Sequence, residues 1–443
     1  MIDRNRAIDW NKYTESLNAC RPMRLQGRIV KLAGIVAEAN GPGLSVGSLC
    51  EIETTPGHSV RAEVVGFKDQ RLFLLPFGEL RGVKPGSRVV EISSRPTVPV
   101  GNAYLGRVVD GLGRPIDGKG AIRPDDEYPT YGDVHNPLKR GIINEVMDVG
   151  IRAINALITV GKGQRMAVMA GSGVGKSVLL GMMARNTAAD VSIIALIGER
   201  GREVRYFIEN NLGETGMKKS IVVASTSDAP ALERIRAAYL ATALAEYFRD
   251  KGSDVLLVMD SITRVAMSLR EVGLAAGEPP TAKGYTPSVF SQLPKLLERA
   301  GNIEKKGSIT GIYNVLVEGD DMNEPIADAL RSIVDGHIVL SRAIAQRGHY
   351  PAIDVLASIS RVMKDIVGSD HLDSAKKMIK TISTYRDAED LINIGAYADG
   401  SDSNIDYAKK MIGKFNTFLQ QDIHQKEGFD ESVARLKLLF GEN

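Results

Sequence analysis

The chain has 443 residues, 43% hydrophobic and 25% charged, the balance of a soluble globular protein too long for one ordinary core. A net charge of +2 excludes a strong chain-wide field for polyanions. No run approaches the roughly 20 apolar residues of a membrane span, so any work at a membrane goes through partners.

The chain opens on the polar, charged stretch Met1–Arg6, without the apolar core of a signal peptide. Trp10, Tyr13 and Leu17 recur at helical spacing among charged residues. This predicts a short amphipathic helix over 1–21, either docking a partner or lying on its own protein. Cys20 and Cys50 are the two cysteines. They build neither a disulfide framework nor a zinc site and suit a reducing compartment.

Over 22–96 the pattern changes to short β-rich runs. They lie at Gly27–Leu32, Leu49–Glu53, Val60–Phe67, Gln70–Leu75 and Arg88–Ile92. Gly41-Pro42-Gly43, Pro56-Gly57 and Pro85-Gly86 separate them. Such spacing predicts a small β-barrel. Its aromatics, Phe67, Phe73 and Phe77, are not surrounded by a Lys/Arg cluster. That favours a structural and oligomerisation barrel over one that stacks nucleic-acid bases.

From 97 to 366 apolar runs alternate with helical segments. The runs are 166–169, 191–197, 221–224, 255–259, 309–317 and 337–341. They predict an α/β domain built on a mainly parallel, buried sheet. After its first run comes Ala170-Gly171-Ser172-Gly173-Val174-Gly175-Lys176-Ser177, and then the helical stretch Val178–Asn186. Strand, glycine-rich turn and helix is the context a nucleotide phosphate-binding loop needs. The glycines let backbone N–H groups point inward at a polyphosphate, and the helix N-terminus adds its dipole. Gly171 to Val178 are the candidate binding residues. Lys176 can reach the β and γ phosphates, and Ser177 can ligate Mg²⁺. Ala170 stands where the first glycine of the pattern is expected.

Two further strand ends carry carboxylates. The run Val255–Met259 ends in Asp260, placed to hold Mg²⁺ through its water shell or to cap the next helix. The run 191–197 is followed by Gly198-Glu199-Arg200-Gly201-Arg202-Glu203. Glu199 can orient an attacking water, with Arg200 stabilising charge or pairing with a carboxylate. A surface salt-bridge cluster fits that spacing equally well. Beyond Arg361 strand signals stop, and 367–443 is expected to be helical, for example at Ala375–Tyr385 and Ile405–Ile423.

Tyr350-Pro351-Ala352-Ile353-Asp354-Val355-Leu356-Ala357-Ser358-Ile359-Ser360-Arg361 resembles the signature of the rotary ATPase catalytic-core family. Ala170–Met183, Leu196–Glu203, Met259–Arg264, Gly277–Gly301 and Gly319–Arg361 extend the match. Within that family the chain is similar to the export ATPases of flagella and of virulence-type secretion systems, over residues 22–443. The runs Glu246–Asp250, Gly277–Phe290 and Asp390–Gly395 favour the flagellar branch. The resemblance implies that Glu199 polarises the attacking water, that Tyr350 stacks on adenine and that Arg361 is an arginine finger given to a neighbouring subunit. It also implies that Phe418 helps wall the adenine pocket and that the loop Ala276–Pro287 faces a central channel holding a coiled-coil stalk. One chain then carries a complete set, Lys176, Glu199, Tyr350 and Arg361, which implies a homohexamer with sites at its interfaces.

The expected activity is Mg²⁺-dependent ATP hydrolysis energising flagellar protein export at the cytoplasmic face of the export gate. Expected partners are a regulator or stator protein at the N-terminal segment, the stalk protein, the gate, chaperones and exported proteins, with no nucleic acid. The virulence-type secretion ATPase is the near alternative. A hexameric nucleic-acid translocase, a non-catalytic ring subunit and a proton-coupled synthase subunit are the more distant ones.

Overall fold

The structure is a computed structural model. It describes residues 26–441 apart from 42, 56, 95, 133–135, 318 and 320, together with Trp10 and Thr14. The expected amphipathic helix over 1–21 otherwise lies outside the described residues, as do Tyr13, Leu17 and Cys20. The chain divides into two compact units, before and after the Pro96–Thr97 junction.

The first unit is a closed six-stranded antiparallel barrel. Its strands are β1 (Gln26–Ala33), β2 (Val36–Asn40), β3 (Leu49–Thr55), β4 (His58–Lys68), β5 (Arg71–Pro76) and β6 (Arg88–Ser93), in the order β1-β2-β5-β4-β3-β6. Closure leaves no free sheet edge. Inward positions alternate along each strand and fill the interior with Ile29, Ala37, Ala39, Ile52, Val64 and Leu74. The strand β2 is absent from the sequence expectation. Its residues Val-Ala-Glu-Ala-Asn are mostly β-depleted types, yet Ala37 and Ala39 are fully buried and their small size admits a tight interior. Between β4 and β5, Asp69 and Gln70 both take positive φ, as a two-residue type I′ hairpin requires. Cys50 faces the barrel core, and burial pushes its thiol up to about 12, so it is an inert packing residue.

The second unit opens with β7 (Thr97–Val100), β8 (Val108–Val109) and β9 (Asp126–Pro129); β7 and β9 form a small antiparallel ribbon. The main strands are β10 (Arg165–Ala170), β11 (Val191–Ile197), β12 (Ser220–Ser225), β13 (Asp254–Asp260), β14 (Gly301–Asn302), β15 (Ser308–Leu316), β16 (Gly336–Leu340) and β17 (Ile359–Ser360). Their order is β17-β16-β10-β15-β13-β11-β12-β8, with β14 beside β15. Ladders from β16 through β8 are parallel, and β17 closes the edge antiparallel. The strands β10, β11, β12, β13, β15 and β16 are buried on both faces, which is why they read as apolar runs rather than alternations. In β10, Ala167 and Met169 join one core layer, while Met166, Val168 and Ala170 join the other.

Helices cover both faces, among them Lys176–Asn186 on one side and Ala231–Asp250 on the other. The latter ends in Glu246–Asp250, part of the flagellar-like pattern. Here that run is internal framework. Arg299, 1% exposed, grips Glu246 through two bonds of 2.9 and 2.5 Å and also donates to the Thr130 carbonyl at 2.7 Å. Arg299→Ala leaves Glu246 buried and unpaired, at a cost of about 3–5 kcal/mol. A urea titration reads this as a large drop in midpoint.

The C-terminal helices are Ser369–Asn393, Ser403–Leu419 and Phe429–Leu438. The first is longer at both ends than its expected span. The second starts at the Asp402 cap, whose carboxylate accepts from Asn404 and Ile405. It stops at Leu419 rather than at Ile423. Gln421 turns its backbone and side chain to other partners, so the helical ladder cannot continue. No described helix is long and apolar enough to cross a membrane.

Candidate nucleotide site

The site forms at the C-terminal ends of adjacent parallel strands, where open α/β sheets place ligands. β10 delivers the phosphate loop. Ala170 is the last residue of β10, paired with Leu316 and Leu340. Its extended backbone needs no glycine, so the departure from the usual pattern is tolerated. Gly173 and Gly175 have φ of 81° and 88°, and Gly175 occupies the position before the helix Lys176–Asn186 in the left-handed region. Side chains are strained there, and glycine is not. Ser172 is exposed, and Gly175, Lys176, Ser177 and Val178 are half-buried. Val174 is 1% exposed, so it anchors the loop in the core and offers a ligand only its backbone.

Lys176, Glu199 and Asp260 meet in one cluster. The Lys176 Nζ lies 2.9 Å from Asp260 Oδ1 and 3.4 Å from Glu199 Oε1. β11 and β13 are neighbours with Leu196 opposite Asp260, which brings the two carboxylates to the same end of the sheet. Burial works against the charge on Lys176, but the Asp260 and Glu199 carboxylates outweigh it and raise its pKa. Glu199 is pushed up to about 7. Burial is the largest cause, Lys176 opposes it, and Asp260 and a hydrogen bond with Glu203 reinforce it. Asp260 is 1% exposed and also accepts from Asn314 Nδ2 at 2.8 Å. Glu199 therefore belongs to a buried charge cluster, not to a surface salt bridge.

Lys176 and Glu199 line a cleft of about 910 Å³, large enough for a nucleotide, together with Gly171, Ser177 and Arg200. Arg200 is exposed on its wall while its carbonyl caps the next helical turn. Lys283 and Tyr285, from the Ala276–Pro287 loop, line the same cleft; the loop thus borders the phosphate region of its own chain. A second cavity of about 450 Å³ is lined by Val178, Leu196 and Phe207 together with Ser177, Glu199 and Asp260.

Tyr350 stands beside the loop. A Cβ on Gly175 would lie 3.5 Å from the Tyr350 ring, which remains 46% exposed. Phe418 is 6% exposed and packs under the Arg152 guanidinium, so it presents little surface to a base. Arg361 is not among the cleft-lining residues. It follows the edge strand β17, its side chain is exposed, and its Nη2 donates to the Arg331 carbonyl at 3.2 Å.

Several partners were not read from sequence. Asn314 is a polar residue inside the buried run of β15, the one local signal available for it. Asn211 donates to the Ser177 carbonyl at 3.2 Å, and Gly181 makes room for it, since a Cβ there would lie 2.4 Å from Asn211 Cβ. The Ser177 hydroxyl and the Asp260 carboxylate are hard oxygen donors on one cleft, which suits Mg²⁺. Among the described residues no group of three or more His, Cys, Asp or Glu could hold a metal.

Three family models match in register with these parts. The beta-barrel domain of the ATP synthase alpha/beta family matches 29–92, and its nucleotide-binding domain matches 150–360. The T3SS EscN ATPase C-terminal domain matches 367–438. The flagellum-specific ATP synthase of Bacillus subtilis is 52% identical over 434 residues, covering 97% of this chain and 99% of that protein. That of Pseudomonas aeruginosa is 51% identical over 431 residues, covering 96% of each. The chain belongs to the flagellar and type III secretion ATPase family. It is an ATPase with a nucleotide-binding α/β domain between a barrel and a helical domain. Among solved structures, assembled EscN of the enteropathogenic E. coli type III secretion system, in complex with its central stalk EscO, is 44% identical with a TM-score of 0.86. The match covers 93% of this chain and 99% of that one.

Proposed function

We propose that the protein hydrolyses Mg·ATP as a homohexameric ring and couples turnover to export of flagellar proteins. The observation that carries this is a division of parts. Lys176, Glu199 and Asp260 form one charge cluster, with Lys176 and Glu199 lining the cleft, while Arg361 is exposed on the sheet edge outside it. A site of this kind is complete only when a neighbour supplies the guanidinium.

In the ligand-free chain Lys176 is held by two carboxylates. Phosphates of ATP draw its Nζ away, which releases Asp260 to hold a cation's water shell and Glu199 to face the γ-phosphate. Ser177, and Asp260 through a water shell, would hold a Mg²⁺ ion, which would supply positive charge to offset that of the phosphate oxygens. The Glu199 carboxylate orients the water that attacks phosphorus and accepts its proton, and ADP leaves with the bridging oxygen. Arg200 contributes positive potential at the cleft wall. Tyr350 takes the adenine face, and Arg361 of the adjacent copy meets the charge growing on the transferred phosphoryl group.

The same reading places a coiled-coil stalk protein, as in the EscN–EscO complex, in the ring's centre. A regulator or stator protein at residues 1–21, and chaperones and exported proteins at the cytoplasmic face of the export gate, complete it.

The test is the ATPase rate per chain against protein concentration, with sizing of the same samples. A rate that climbs as hexamer replaces monomer is expected. A fully active monomer overturns the shared site. Chelation with EDTA is expected to stop turnover, and added Mg²⁺ to restore it; unchanged phosphate release after chelation removes the metal from the scheme.

A further inference from the structure

The segment that follows helix Ser403–Leu419 is tied at many points to the nucleotide-binding domain. Gln421 is at its centre and is 5% exposed. Its backbone N–H donates to the Tyr350 carbonyl at 3.0 Å. Its side-chain Oε1 accepts from the Arg152 N–H at 2.8 Å, and Nε2 donates to the carbonyls of Gly150 and Gln425, each at 2.9 Å. Arg152 closes the same strap from below. It grips Glu427 through two bonds of 2.7 and 2.6 Å and donates to the carbonyls of Phe418 and Gln420. Further along, Arg185 and Asn186, at the end of the phosphate-loop helix, donate to the carbonyls of Ile423 and Gln425.

The strap thus reaches Tyr350, whose ring adjoins Gly175, and the far end of the helix that Gly175 begins. An exposed aromatic ring stacks on a base only if its backbone is fixed. Here the fixing bond comes from a residue 71 positions away (421 − 350) that is itself locked by its own amide group.

We propose that Gln421 is a positioning residue for nucleobase recognition. By anchoring the strap to Gly150 and Arg152, it holds the Tyr350 main chain so that the ring presents its face beside the phosphate loop. The proposal deepens the nucleotide reading above and rests on Tyr350 meeting the base. It separates two halves of the ligand. Phosphates are held by the loop backbone and Lys176, which the strap does not touch through Gln421. The base is held by Tyr350, which it does.

The experiment compares MgATP with Mg-tripolyphosphate, which has phosphates and no base, by calorimetry on the full chain and on Gln421→Ala. From the strength of base stacking on an aromatic ring, a tilted ring should weaken MgATP by about 5- to 150-fold. Tripolyphosphate affinity should stay within about twofold of the parent, and KM for ATP should rise with kcat unchanged. Equal weakening of both ligands, or of neither, overturns the assignment. Tyr350→Ala is the companion. If it too leaves MgATP binding at the parent level, the base reading itself fails; if it weakens MgATP while Gln421→Ala does not, only the present proposal fails. Should Gln421→Ala not fold, hydrogen exchange of the Gln421 amide in the unmodified chain decides. Slowing by MgATP but not by Mg-tripolyphosphate supports the anchor, and the same response to both overturns it.

Discussion

Glu199→Gln is expected to lower turnover by about 10²–10⁴-fold while leaving MgATP binding near the parent value. The carboxylate sits within the charge cluster but is not part of the loop that grips phosphate, so its loss removes the proton acceptor and little affinity. The parent's turnover should also depend on pH in a predictable direction. Glu199 works as a base only when ionised, and its pKa stands at about 7. Turnover therefore falls as pH drops through about 7, and the profile of kcat/KM shows it. The same raised pKa has an opposite consequence for stability. Below the ordinary carboxylate range the group is neutral in both folded and unfolded chains and contributes no difference. As pH rises toward and through about 7, the unfolded chain ionises more easily than the folded one, and the buried carboxyl becomes a burden. The ligand-free glutamine variant should therefore melt above the parent at pH 8, with the gain shrinking as pH falls. Parent-level turnover in the variant places the water-orienting group elsewhere. A variant that also loses MgATP affinity makes Glu199 a binding residue instead.

The parts of this site that sequence reveals are those whose chemistry is written in consecutive residues. A buried strand, a glycine turn and Lys176-Ser177 are local, and so are strand ends that terminate in Glu199 or Asp260. The parallel sheet was legible for the same reason, because strands buried on both faces are continuous apolar runs. What stayed hidden depends on partners far along the chain. β2 is built from alanines that only a closed barrel turns into core residues. β8 is two residues long and exists because Arg107 and Val222 line it up with β12. Glu246 is a carboxylate within a helix, and what holds it inside is Arg299, 53 residues later. Gln421 interrupts a convincing helical pattern because Tyr350, Gly150 and Arg152 offer its polar groups better partners. Nor can the pattern around Arg361 tell a helix-start arginine from a finger, since that difference lies in another molecule.

Arg361→Ala is expected to lower turnover by about 10³–10⁵-fold with nucleotide binding retained. In the folded chain this arginine contributes nothing to its own cleft. It extends from the residue after β17, held by Asp335 through its backbone and by Arg331 through one nitrogen of the guanidinium. Truncating an exposed side chain of this kind should barely move the melting temperature, which separates the effect from misfolding. The decisive form of the experiment mixes two inactive chains. A Glu199→Gln chain has a spoiled cleft but a sound finger, and an Arg361→Ala chain has the reverse. In a ring assembled at random from equal amounts, about a quarter of the interfaces pair a sound cleft with a sound finger. Activity should therefore reappear on mixing, from two preparations that are each nearly dead. Recovery must follow ring formation, so it should vanish on dilution below the assembly range. If sizing shows mixed rings and no activity returns, the finger does not act across the interface. The same logic explains why an exposed arginine is useful at a sheet edge. With the group that meets the γ-phosphate charge on a different molecule, as proposed, isolated chains are expected to bind ATP without consuming it, and hydrolysis to begin only where a ring has been built.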